Sequence, residues 1–410
     1  MSLEPETQDP QPEKTRPRDV VLVVLYFLLA FLPLLGHLKK LPDANVVGAF
    51  EPVYVKPIHP LWDLRFWANA KNLVSLKDAF QPSFTKWFEW NLWPRGVFVR
   101  ADNAVLYHAF GETKPDSHVK LAKDNVLING EDTMHFSSLD FPSAETLDVV
   151  AERIARMQKR LKGRGAAFVP VIIPSKTTIY PDAVLPKWRT AVPTPRPSDV
   201  AYANFSSSLR AHGVDFVDAR ALLLARPEPP SYIYARGGRH WTYLASCLAT
   251  QEVMKSYARL TGAAVPPYPC DYDVIHDMSV NHEDYDLYRL MNVWGAPVDH
   301  SGTPVLKWVD GEPEKKIDLL IIGTSFCWNF FKDSNDRTHV FGRQHFFYYD
   351  KVLYDWPVTH EGTVSPGTPE WKEAAFGKQL YLLDLFESYP LTRYVLKFLA
   401  EMEAALTMEP

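Results

Sequence analysis

Ser325 lies in Ile321-Ile322-Gly323-Thr324-Ser325-Phe326, directly after the apolar run Ile317-Asp318-Leu319-Leu320. A buried strand that runs into Gly-x-Ser predicts a sharp strand-to-helix turn. Such a turn lifts the serine hydroxyl clear of the sheet and aims nearby backbone N–H groups at whatever binds there. A nucleophilic serine also needs a base, and Arg239-His240-Trp241-Thr242 supplies one upstream. Together the two residues point to acyl transfer. Each has an ordinary alternative when taken singly: Ser325 as a helix N-cap, His240 as a buried structural histidine.

Other chemistry-bearing residues form weaker patterns. The stretch Asp271–Asp286 holds His276, Asp277, His282 and Glu283, without the spacing of a calcium loop or a zinc helix. It is expected to be a solvated loop. His339 and His345 have no ligand spacing either, so no metal or cofactor is expected. Cys247, Cys270 and Cys327 lack CxxC spacing and allow at most one disulfide. Cys327, two residues after Ser325, is expected to pack at the start of the following helix. The net charge of −5 and the absence of a basic stripe exclude an electrostatic case for nucleic acid. The 12 Trp, 19 Tyr and 23 Phe are mostly core residues in this reading, with a few exposed rings left for stacking on sugars.

The elements that must position these residues read as α/β from about residue 96. Strands are expected at Asn125–Ile128, Ala167–Ile173, Val214–Asp218, Ile317–Ile322 and Gln379–Phe386. Helices are expected at Ser143–Lys162, Ala201–His212 and Thr242–Leu260. In the first helix Leu147, Val150, Ile154, Met157 and Leu161 recur at spacings of three and four. Wholly apolar strands alternating with helices indicate a parallel sheet covered on both faces. The active edge of such a sheet is the carboxyl end of its strands, where Ser325 falls.

The N-terminus divides by composition. Residues 1–19 are polar and expected to be disordered. Val20–Gly36 is uncharged and apolar on every face, and residues 20–38 are read as an uncleaved membrane anchor, with a cleaved signal peptide as the rival reading. Lys14, Arg16 and Arg18 before it, against Lys39 and Lys40 after it, favour an inside N-terminus. Residues 39–95 form a spacer and first packing layer, with short helices expected around Trp62–Ala70 and Phe84–Trp93. Residues 96–410 form the catalytic domain.

Four segments in order resemble the alginate O-acetyltransferase family of periplasmic SGNH-hydrolase-like proteins. They are Val169-Pro170-Val171-Ile172-Ile173-Pro174-Ser175-Lys176 running on to Tyr180-Pro181, then Gly213–Asp218, then His240-Trp241-Thr242, and finally Gly323-Thr324-Ser325-Phe326. Lys123–Phe136 resembles an early strand and turn of the family. The resemblance implies a three-layer α/β/α parallel sheet of SGNH-hydrolase type behind an N-terminal transmembrane helix. It implies Ser325 as nucleophile and His240 as base, with the oxyanion held around Thr324, Ser325 and Phe326. Lys176 is then a candidate contact for a polyanionic sugar.

The family's aspartate, two residues before the histidine, is Gly238 here. Asp218, at a strand end, is the candidate replacement. A Ser-His dyad and a non-catalytic binding or assembly subunit are the alternatives. The implied function is acetyl transfer onto an extracytoplasmic polysaccharide, with an acetylesterase as the variant in which water is the acceptor. The implied setting is the inner membrane with the domain in the periplasm. The implied partner is a membrane-bound acetyl-donating protein of an exopolysaccharide complex.

Overall fold

The computed structural model describes residues 17–39, 41–42, 93–115, 117–186, 192–276, 283–295, 300–309, 311, 313–334, 337, 339–356, 360–363, 365–387 and 393–408. The chain divides into two compact units. One runs to Val105 and includes Asn292–Trp294, and the other comprises Leu106–Met291 and Gly295–Pro410. In the first unit the expected anchor falls on helix α1 (Pro17–Leu38). Among the described residues no helix is long and apolar enough to cross a membrane. The helices expected at Trp62–Ala70 and Phe84–Trp93 lie outside the described residues, apart from Trp93.

After α2 (Arg95–Phe110) come β1 (Val119–Leu121), β2 (Leu127–Asn129), α3 (Gly130–Ser137), α4 (Ala144–Lys162) and β3 (Ala167–Ile173). They are followed by α5 (Lys176–Ile179), α6 (Pro197–Ala211), β4 (Val217–Asp218), α7 (Ala219–Leu224), α8 (Pro230–Ile233) and α9 (Tyr243–Thr261). The ribbon β5 (Tyr272–Ile275) and β6 (Thr303–Leu306) encloses α10 (Asp286–Met291) in sequence. Then come β7 (Ile317–Gly323), α11 (Cys327–Asp333), β8 (Phe341–Tyr348), β9 (Val352–Trp356), β10 (His360–Thr363), α12 (Pro369–Ala375), β11 (Leu380–Phe386) and α13 (Arg393–Met408).

Seven strands form the central sheet in the order β10-β9-β8-β7-β11-β3-β4. The five from β8 to β4 are parallel, and β9 and β10 add an antiparallel edge. Alternate side chains go to opposite faces, as strand geometry requires. Val169, Val171, Ile173, Leu319, Ile321 and Leu382 pack towards α9 and α11. Phe168, Ile172, Leu320, Ile322, Leu383 and Leu385 pack towards α4, α6 and α13. This second unit is therefore three-layered, and its strands read as unbroken apolar runs because both faces are covered. Truncating a centrally buried ring such as Phe398, which is fully buried, would cost about 3–5 kcal/mol.

Two expected strands differ in the structure. Of Val214–Asp218 only Val217–Asp218 joins the ladder. The Gln158 side chain takes the backbone of Asp215 instead, accepting from its N–H at 2.9 Å and donating to its carbonyl at 2.8 Å. The strand expected at Asn125–Ile128 starts at Leu127, because Asp124 and Asn125 are left-handed at φ 56° and 57°. The cysteines follow expectation: Cys247 and Cys270 form a disulfide, and Cys327 is buried at the first turn of α11.

Candidate active site

The turn after β7 carries Ser325, and a buried carboxylate holds it from below. The Thr324 N–H and hydroxyl both donate to Asp384 Oδ2, at 2.9 and 2.6 Å. Asp384 on β11 is fully buried, and burial pushes its carboxyl up to about 6 against the hydrogen bonds from Thr324. Both donors of Thr324 thus serve the fold and are not available to an oxyanion. The Phe326 N–H meets Thr324 Oγ1 at 3.3 Å, and its buried ring stacks on Phe386 at 4.5 Å. The expected oxyanion role of Thr324 and Phe326 is corrected accordingly. Among the described residues the Ser325 N–H has no hydrogen-bond partner.

His240 is fixed against that turn by its neighbour. Trp241 is fully buried, and its Nε1 donates to the Phe326 carbonyl at 2.9 Å. Asn329 on α11 donates back to the Trp241 carbonyl at 2.6 Å. Thr242 caps α9 by accepting from the Ala245 N–H. The triplet His-Trp-Thr therefore clamps a helix start to the serine turn. The clamp leaves His240 Nε2 2.9 Å from Ser325 Oγ.

The other ring nitrogen faces a carboxylate, and it is Asp286. His240 Nδ1 lies 3.2 Å from Asp286 Oδ2. Asp286 Oδ1 accepts from the backbone N–H groups of Arg239 at 2.7 Å and Leu287 at 2.9 Å. Burial alone would raise the Asp286 carboxyl. The hydrogen bond and charge of His240, the Arg239 N–H and the Lys176 charge outweigh it and hold it below the usual carboxylate range. An ionised carboxylate only accepts, so Nδ1 carries the proton and Nε2 accepts from the serine hydroxyl. That is the tautomer a serine nucleophile requires.

Asp218 is not this carboxylate. It accepts from the Ala221 N–H as the cap of α7, from the Tyr202 hydroxyl and from Arg210. The expectation that Asp271–Asp286 is a solvated loop is also corrected, because its last residue completes the site and Asp284 is buried. Among the described residues no cluster of ligands is able to hold a metal.

Gly237 and Gly238 explain how Asp286 reaches the histidine. A Cβ on Gly238 would lie 2.2 Å from the Asp284 carbonyl oxygen, and one on Gly237 would lie 1.9 Å from the Tyr288 ring. The two glycines let residues 283–288 press directly onto the loop before His240. The Gly237 carbonyl then accepts from the N–H groups of Leu287 and Tyr288, satisfying donors at the start of α10. The glycine pair was a signal in the sequence, since adjacent glycines before a candidate base mark a close backbone approach.

Lys176 takes part in the same construction. It is buried, and its ammonium donates to the carbonyls of Ala235, Arg236 and Gly238 at 2.7, 2.8 and 2.5 Å. It ties the loop that carries His240 to the end of β3. This corrects its expected role as a sugar contact, because all three ammonium donors face the backbone. Arg239, beside His240, pairs with Glu131 at 2.7 Å. Asp132, next to Glu131, is pushed up to about 6 by burial, although the charges of Arg239 and Lys176 pull it down.

The family model of the SGNH hydrolase-like domain of acetyltransferase AlgX matches residues 131–271, a span that includes His240 but neither Asp286 nor Ser325. No curated protein matches the chain in sequence. Among solved structures, the O-acetyltransferase domain of Pseudomonas putida AlgJ is similar with a TM-score of 0.43 and 18% identity, over 70% of this chain and 99% of that one. Pseudomonas aeruginosa AlgX gives 0.41 and 13%, over 70% and 66%. Bacillus cereus PatB1 gives 0.43 and 11%, over 68% and 98%. Over residues 131–271 the chain is thus similar to the SGNH hydrolase-like domain of acetyltransferase AlgX.

Proposed function

We propose that this protein is an O-acetyltransferase that moves an acetyl group through Ser325 onto a hydroxyl of an extracytoplasmic polysaccharide. The observation that carries the reading is the hydrogen-bonded chain Ser325–His240–Asp286. In it the serine Oγ attacks the acetyl carbonyl of a donor while His240 Nε2 takes its proton. The Ser325 N–H, at the turn into α11, faces the developing oxyanion. Collapse expels the donor's leaving group, which receives the proton from Nε2, and leaves acetyl-Ser325. A sugar hydroxyl then gives its proton to Nε2 and attacks the ester, and the serine recovers a proton as it leaves. Asp286 stabilises the imidazolium in both halves. The non-catalytic reading rested on Gly238, and that motive falls away once Asp286 is on the histidine.

The extracytoplasmic setting is supported by the Cys247–Cys270 disulfide, a bond that persists in oxidising compartments. The apolar side chains exposed along Val20–Leu28 of α1 support a membrane anchor there. A membrane-bound protein that delivers the acetyl group is part of the same proposal.

The test uses the purified full chain with a chromogenic acetyl ester and with polysaccharide acceptors, reading acetyl-enzyme and acetylated glycan by mass spectrometry. Acetylation at Ser325 and its passage to the glycan are expected. Ester turnover that survives in Ser325→Ala would sink the proposal, and acetyl loss only to water would identify an esterase.

A further inference from the structure

We infer that a groove beside the catalytic centre is a second sugar subsite, with Trp308 as its stacking ring. The inference rests on the proposed polymeric acceptor. Trp308 follows β6 and is 73% exposed, the most exposed large apolar side chain among the described residues. It borders a cavity of about 240 Å³ shared with Tyr243, Pro304, Val305, Leu306 and Lys332. Two of these residues tie the groove to the chemistry. Tyr243 opens α9 directly after His240-Trp241-Thr242, and Lys332 lies on α11, which starts after Ser325. At 1.5 Å per helical residue, Lys332 is on the order of 10 Å along the chain axis from the nucleophile. That separation suits a neighbouring residue of a polymer whose reacting sugar sits at Ser325.

The base of the ring is rigidly held. Arg337 is buried and paired with Asp333, with Nη2 at 2.9 Å from Oδ2. Its Nη1 donates to the carbonyls of Pro269 at 2.8 Å and of Lys307 at 3.3 Å, immediately before Trp308. The Lys307 N–H in turn donates to the Asp271 carbonyl, one residue beyond the Cys247–Cys270 disulfide. An isolated exposed indole needs no explanation. An indole on a pinned backbone, over a floor of Pro304, Val305 and Leu306 and beside polar groups of Tyr243 and Lys332, has the make-up of a pyranose site. The flat ring covers the apolar sugar face, and the sugar's edge lies along the groove lined by Tyr243 and Lys332.

The experiment measures binding of cellohexaose and of hexamannuronate to the full-length Ser325→Ala protein by calorimetry, with and without Trp308→Ala. At least one hexasaccharide is expected to bind, and Trp308→Ala is expected to weaken it roughly tenfold or more. In the otherwise wild-type chain, Trp308→Ala is expected to leave turnover of a small acetyl ester unchanged while raising the KM for the polymer. Equal binding with and without the indole, or no binding of either sugar, overturns the subsite. Loss of ester turnover in the wild type overturns the acetyltransferase reading instead, and the calorimetric result stands apart from it.

Discussion

The two halves of the catalytic chain are built differently. The serine half is local, since β7, the turn Gly323-Thr324-Ser325 and α11 are continuous, and Asp384 on β11 braces the turn. The carboxylate half is assembled from two separate segments: the loop before His240, and residues 283–288 pressed onto it. A local construction depends on what one stretch of chain can form. A composite one depends on what two stretches allow each other to approach, and here the allowance is the missing pair of Cβ atoms at 237 and 238. The role of the carboxylate therefore belongs to a position in space opposite Nδ1.

The sharpest break is at the nucleophile. Ser325→Ala and His240→Ala should each lower kcat for a chromogenic acetyl ester by on the order of 10⁶, leaving melting temperature nearly unchanged. Asp286→Asn should lower kcat by about 10⁴ through the wrong imidazole tautomer, whereas Asp218→Asn should leave kcat in place and cost little stability, because an asparagine caps a helix about as well as an aspartate. A large kcat loss in Asp218→Asn with none in Asp286→Asn would reverse the assignment. Next in size is Gly238→Asp. Placing an aspartate there should lower activity by roughly 10², because its Cβ would meet the Asp284 carbonyl and displace the arm. A gain in kcat would show that the arm is dispensable.

Lys176→Met sharpens the comparison from the other side. It should lower thermal stability by about 3 kcal/mol, read by denaturant unfolding, since three buried carbonyls lose a charged donor. The KM for uronate acceptors should not rise selectively. The smallest effect concerns pH. Asp384 has a folded value of about 6, above its unfolded value near 4, so its contribution to stability is full below about 4. That contribution is lost as pH rises through about 6. Asp384→Asn should therefore flatten the fall in melting temperature between pH 4 and 7, leaving the similar share from Asp132.

Ser325, His240 and four of the five parallel strands (β3, β4, β7 and β11) were legible because each rests on neighbours in sequence: an apolar run, a glycine turn, a helix start. Asp286 was not, because nothing within its own stretch distinguishes it from the solvated acids around it. Its meaning comes from the Arg239 N–H and the His240 ring, which belong to another segment. Lys176 was misread for the same reason, since its three partners lie about sixty residues away. Strands β8 to β10 escaped notice because Arg343, Gln344 and His345 interrupt the apolar pattern of β8. In the fold Arg343 pairs with Asp355 and Glu373, Gln344 accepts from Ser334, and His345 Nε2 faces Asp355 while its buried Nδ1 has no hydrogen-bond partner.

The close approach at Gly238 also constrains how such a site can change over generations. A side chain at 238 and the arm at 283–288 claim the same volume, so the two ways of supplying the carboxylate exclude each other. In this geometry one chain does not hold both at once. Passage from one arrangement to the other runs through a state in which the histidine stands without an acid, slow but not inert.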